Sequence, residues 1–128
     1  MPFLLDTNVL IHLRDGDHIV SARVGDLDGA LMMSIVSRVE LEGGVYRDPA
    51  YVQLRRNRLD VMLEAIPAVA FGAESADAYA LIVAVAGYSR RKLLGRMIAA
   101  QAIVHRATLV TMNASDFEDI PGLDTLRW

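Results

Sequence analysis

Asp6 follows the apolar run Phe3-Leu4-Leu5 and precedes Thr7-Asn8. An apolar tripeptide of this kind predicts a buried first strand, and a carboxylate at its carboxyl end stands where open α/β sheets place ligand chemistry. Burying an unpaired carboxylate is costly, so a positive partner, typically a metal ion, is expected beside it. Glu40 lies in Ser37-Arg38-Val39-Glu40-Leu41-Glu42-Gly43-Gly44 and has two readings. It is either a second acid at the same point or half of a capping box, with Ser37 capping a helix and Glu40 reaching back to the Ser37 amide. Asp116, in Thr108-Leu-Val-Thr-Met-Asn-Ala-Ser-Asp-Phe, is either a third acid or a loop aspartate capping a short helix through Phe117. Three carboxylates near the carboxyl ends of parallel strands or at adjacent helix starts can converge, and convergence demands a cation. Oxygen donors without Cys or His select Mg²⁺ or Mn²⁺, and Mg²⁺ keeps several waters and binds substrate phosphates. Phosphodiester hydrolysis is the chemistry that follows. An aspartyl-phosphate mechanism at Asp6 is disfavoured, because it calls for a second aspartate where the chain has Asn8.

Those acids need a scaffold, and the apolar patterning supplies one. Strands are expected at Phe3–Leu5, Leu31–Met33, Val69–Phe71 and Thr108–Thr111, with an edge strand at Leu126–Trp128. They alternate with helical segments, which predicts an α/β fold with a mainly parallel sheet covered by helices. Asp48-Pro49 reads as an N-cap and first helical residue, opening a helix with Val52, Leu59, Met62, Leu63 and Ile66 on one stripe and ending at Pro67. A second helix is expected from about Glu74 to Ala86, deeply buried because it is nearly all apolar, and stopped by Gly87.

The chain has 128 residues, 53% of them hydrophobic, with a formal net charge of −3. That length predicts one domain, residues 1–128, burying about two thirds of its unfolded surface. An acidic balance excludes nucleic-acid binding by bulk charge, so any such contact must be local. No cysteine is present, which excludes disulfides, thiolate metal sites and a Cys nucleophile, and a reducing cytoplasm is the expected compartment. The longest apolar run, Ala78 to Ala86, is about half of what a bilayer span requires, and no membrane partner is expected.

Four blocks occur in order along the chain: Leu4-Leu-Asp-Thr-Asn-Val-Leu-Ile11, Ser37-Arg-Val-Glu-Leu-Glu-Gly43, Met97-Ile-Ala-Ala-Gln-Ala102 and Thr111-Met-Asn-Ala-Ser-Asp-Phe-Glu-Asp-Ile-Pro-Gly-Leu123. Together they resemble the PIN-domain ribonucleases, and more narrowly VapC, the toxin of bacterial VapBC toxin–antitoxin pairs. The resemblance covers essentially the whole chain. It implies a PIN-like α/β/α sandwich, metal-dependent cleavage of RNA, a homodimer, and neutralisation by a VapB-like antitoxin that covers the site. Carried over by position, it makes Asp6, Glu40 and Asp116 the catalytic metal-binding acids and Thr7, Asn8, Thr111 and Asn113 groups that orient them. The antitoxin is expected to insert an Arg or Lys into the acidic pocket and to flank it near Val45, Tyr46 and Tyr51.

The chain departs from the pattern at one place. The family sets a fourth carboxylate at the start of the helix that continues Ile-Ala-Ala, and here that position is Gly95. A natural loss and an engineered inactivation look identical in one sequence, so the alternative to an impaired endoribonuclease is an inactive PIN domain that binds antitoxin or RNA. Asp77, Glu118, Asp119 and Glu42 are read as helix-start or surface charges rather than replacements. Arg90, Arg91, Lys92 and Arg96 form a basic cluster bordering the site that could contact RNA, whereas Arg55, Arg56 and Arg58 read as a solvated helix face. His12, His18 and His105 are too scattered for a catalytic triad.

Overall fold

The computed structural model describes residues 1–128. Its centre is a five-stranded sheet in the order β3-β2-β1-β4-β5, formed by β1 (Phe3–Leu5), β2 (Leu31–Ser34), β3 (Ala68–Val69), β4 (Thr108–Thr111) and β5 (Thr125–Arg127). Every pairing is parallel, with Leu4 opposite Met32 on one side and Leu109 on the other. Between the strands run α1 (Thr7–Arg14), α2 (His18–Gly25), α3 (Ile35–Tyr46), α4 (Val52–Ala65), α5 (Ala73–Ala86) and α6 (Leu93–Val104). The sheet is wholly parallel, where the patterning alone predicted a mainly parallel one. β3 lies earlier than predicted, because Met33 N bonds Pro67 O and draws the start of pairing back to Ala68.

Side-chain alternation along the strands builds a layer on each face. Leu5, Met33 and Val110 point into a core with Val9, Leu10, Leu41, Val45, Leu59 and Met62 from α1, α3 and α4. Leu4 and Leu109 point the other way, onto Ile82 of α5 and Ile98, Ala99 and Ala102 of α6. The result is an α/β/α sandwich.

Two predicted helices differ from expectation. Asp48 does cap a turn, accepting from Ala50 N at 3.1 Å, but Pro49–Tyr51 form a 3₁₀ turn and the α-helix proper begins at Val52. The helix α5 ends at Gly87, whose φ of 85° suits glycine, yet it is not deeply buried. It packs mainly on α6, and only Ser75 and Ile82 are buried, while Leu81 (71%) and Val85 (69%) face outward.

The chain crosses from β3, on one side of β1, through α5 and α6 to β4 on the other side. The connections therefore diverge at the carboxyl ends of β1 and β4, opening the crevice in which parallel α/β sheets bind ligands. No helix is long and apolar enough to cross a membrane.

Candidate active site

Asp6 is the residue at which β1 turns into α1. Its amide bonds Val110 O at 2.9 Å, holding it beside the end of β4. Oδ1 caps α1 by accepting from Thr7 N at 2.9 Å, and Oδ2 accepts the Thr111 hydroxyl at 2.8 Å. The Asn113 amide in turn donates to Thr111 Oγ1 at 3.0 Å, which fixes that hydroxyl. A carboxylate offers about four acceptor positions, so two remain unfilled. Burial pushes the Asp6 carboxyl above its ordinary 3.8, and nearby Asp116 raises it further against the lowering effect of the two hydrogen bonds.

Glu40 reaches the same place from α3, and by a different route from the capping box. Strand β2 runs one residue beyond its predicted end, and Ser34 caps α3 by accepting from Val36 N at 3.0 Å. Ser37 is consequently inside the helix and fully buried, with its hydroxyl 2.8 Å from Thr7 Oγ1. Thr7 donates to Glu40 Oε1 at 3.0 Å, and since a hydroxyl carries one proton, Ser37 must be the donor to Thr7. The relay Ser37–Thr7–Glu40 replaces the cap and directs Glu40 toward α1.

Gln101 was missed by sequence reasoning. It is fully buried on α6, bonds the Ser34 hydroxyl, and donates to Val69 O at 2.9 Å and Ala70 O at 3.0 Å. It ties α6 to the start of the helix that carries Glu40. A polar residue in the otherwise apolar stretch Met97–Val104 was the available signal.

A cavity of about 180 Å³ is lined by Asp6, Thr7, Asn8, Glu40, Gly95, Asn113 and Asp116, with Arg91, Lys92 and Arg96. Asp116 lies in the 3₁₀ turn Ala114–Phe117, whose first turn it occupies rather than caps. Of the predicted residues, Thr111 stands behind Asp6 and Arg90 does not line the cavity. The basic cluster also divides. Arg96 is buried, giving its guanidinium to Gly87 O and to Asp119 at 3.2 Å, so it braces the turn between α5 and α6 and is not a free RNA contact. Lys92 lies 3.6 Å from Asp119, and Arg91 is exposed. Of the candidate replacement acids, Glu42 pairs with Arg56 at 2.6 Å, Asp119 as described and Glu118 with Arg127 at 3.6 Å, while Asp77 is exposed on α5 and does not line the cavity. Val45 is fully buried and unavailable as a docking surface, whereas Tyr46 and Tyr51 are exposed.

At Gly95 a Cβ would meet only the Phe117 ring, at 3.6 and 3.7 Å, which is ordinary contact. The fold therefore accepts a side chain there.

Three acidic groups line the cavity, but no three stand close enough to hold one ion together. The donor chemistry nevertheless suits a hard cation. Mg²⁺ typically takes one or two carboxylates directly and keeps waters for the rest, and Asp6 is a buried carboxylate with unfilled acceptor positions beside a second acid.

The PIN domain family model matches residues 3–123. The chain belongs to the PIN-domain family and, within it, to the VapC-type proteins. It is 31% identical to Ribonuclease VapC1 of Rickettsia felis over 98% of this chain and 96% of that protein. Among solved structures, VapBC-1 from nontypeable Haemophilus influenzae superposes with a TM-score of 0.80 at 26% identity, covering 100% of this chain and 98% of the other. VapBC2 from Rickettsia felis, bound to a DNA fragment from its promoter, gives a TM-score of 0.86 at 24% identity, with 100% and 99% covered.

Proposed function

We propose that the chain is the toxin of a VapBC-type toxin–antitoxin pair, a divalent-metal-dependent endoribonuclease by descent whose turnover is impaired by Gly95. The observation that carries this is Asp6, a buried carboxylate at the divergence of β1 and β4, opening on a cavity shared with Glu40 and Asp116. Asp6 and Asp116 are the residues to hold Mg²⁺ or Mn²⁺, which when bound would polarise a phosphoryl oxygen and ease deprotonation of the attacking water. Glu40 Oε1 is held by Thr7, leaving Oε2 to accept a proton from a water in the cavity. Thr111 and the Asn113 amide hold Asp6 in orientation, Asn8 lines the rim, and Arg91 and Lys92 offset phosphate charge.

The wider assembly follows the same reading. Leu81 and Val85, one turn apart on α5, and Tyr88 just beyond the helix are all about 70% exposed and suit a homodimer. An apolar cavity of about 550 Å³ lined by Leu13, Val24, Leu31, Val61, Met62 and Ile66 suits an antitoxin helix. A basic residue from that partner would complement the acids.

Gly95 favours a second reading, an inactive PIN domain kept as a binding module. Calorimetric Mn²⁺ titration and cleavage of a structured RNA, run on the parent and on Gly95→Asp, separate the two. The first reading expects metal affinity to rise about ten- to a hundredfold in the variant and cleavage to switch on. Unchanged affinity and no cleavage in both proteins favour the binding module.

A further inference from the structure

A second polar cavity, of about 640 Å³, adjoins the acidic one and shares Glu40 with it as a wall. Arg14, Arg47 and Arg55 line it. Arg14 is the informative member, because its side chain is only 5% exposed. Its one hydrogen bond runs from Nε to Asp15 Oδ1 at 3.1 Å, which leaves Nη1 and Nη2 without a protein acceptor. Arg96 Nε is the only fully enclosed side-chain polar atom lacking a partner, so the two Arg14 nitrogens are not sealed in. Gly44 shows where they lie. A Cβ on Gly44 would stand 2.9 Å from Arg14 Nη1, so the guanidinium rests against the Gly44 backbone, itself part of the cavity wall.

Arg14 is paired through Nε with Asp15, but a guanidinium that cannot shed its proton keeps its Nη1 and Nη2 donors open to a second anion. The neighbouring groups favour such an anion. Arg55 is fixed by Gly44 O at 3.1 Å and by the Tyr51 ring at 5.5 Å, and exposed Arg47 makes no ion pair. Of the two acids of the lining, Asp15 pairs with Arg14 and Glu40 accepts from Thr7 through Oε1 alone, so three arginines face two carboxylates.

We propose that this arginine pocket binds a backbone phosphodiester of the RNA strand adjacent to the one at the acidic site, an inference that rests on the nuclease reading. The shared Glu40 wall decides for RNA over an isolated anion. A strand whose phosphate sits at Asp6 and Asp116 meets the arginines as it leaves across Glu40, and fork-shaped guanidinium groups match phosphate oxygens.

The test is fluorescence anisotropy of a short fluorescein-labelled single-stranded RNA, in EDTA to prevent cleavage, across a salt series. Arg47→Ala, Arg14→Lys and Gly44→Ala are compared with the parent and with Arg127→Ala, an edge-strand control, after circular dichroism confirms folding. Exposed Arg47 keeps the test valid if either buried change disturbs the fold. Each pocket variant should weaken binding several-fold, and each lost phosphate contact should flatten the log–log salt slope by about 0.7, with the control unchanged. If the parent binds RNA and Arg47→Ala and Arg14→Lys match it in affinity and slope, the pocket assignment is overturned and the nuclease reading stands. If the parent ignores RNA but binds a polyglutamate peptide through Arg47, the pocket serves an acidic protein segment and the inference fails. Binding of neither probe overturns both readings.

Discussion

Asp6 is held under opposing demands, burial that disfavours its charge and a site that requires it. Its folded pKa lies above the unfolded 3.8, so ionisation costs stability at neutral pH, and that cost is relieved as the pH falls through the folded pKa toward 3.8. Without metal, Asp6→Asn should therefore melt at a higher temperature than the parent near pH 7, and the difference should close as the pH approaches 3.8. Added Mn²⁺ should raise the parent's melting temperature and leave the variant unmoved, since ligand binding to the folded state alone stabilises it. Equal Mn²⁺ shifts in both proteins would remove Asp6 from the metal site.

At the scale of elements, helix starts do the positioning. Ser34 both caps α3 and satisfies Gln101, so Ser34→Ala removes a cap and leaves a buried amide oxygen unpaired. A loss of about 1–3 kcal/mol is expected by chemical denaturation, more than for Ser37→Ala, which caps nothing. Asp17 caps α2 by accepting from Ile19 N and Val20 N, and the Val20 bond chiefly holds its carboxyl below 3.8. A lowered folded pKa contributes stability that is full above the unfolded value and lost as the pH falls through the folded one. The melting-temperature gap between the parent and Asp17→Ala should accordingly narrow below pH 3.8.

For the whole molecule, the outward stripe of α5 has the largest consequence. Contiguous exposed apolar side chains of this size mark interaction surfaces, and charges placed on them oppose association. If α5 carries the proposed dimer contact, the parent should elute as a dimer in size-exclusion chromatography with light scattering and the double variant Leu81→Glu, Val85→Glu as a monomer. Both positions are about 70% exposed, so the fold itself should be little affected. A parent that is monomeric across micromolar concentrations would contradict the dimer.

The strands were legible because their apolar runs are short and bounded, and Asp6 was legible because a carboxylate directly after such a run has few structural excuses. Gly87 likewise announced the end of α5. Local pattern could not assign Ser37 and Glu40, since the spacing of a capping box is also that of two residues inside a helix already capped by Ser34. Only the approach of α1 to α3 puts Thr7 between them. Composition made α5 look buried, yet burial depends on how many neighbours an element has, and α5 has chiefly α6. Arg14, Gly44 and Gln101 gave little local sign of their roles, because each acts on a segment distant in the chain or on a cavity that exists only once the helices pack. Sequence determined which residues end the strands and carry charge; tertiary structure decided which of them meet, because meeting is set by the strand order of the sheet rather than by separation along the chain.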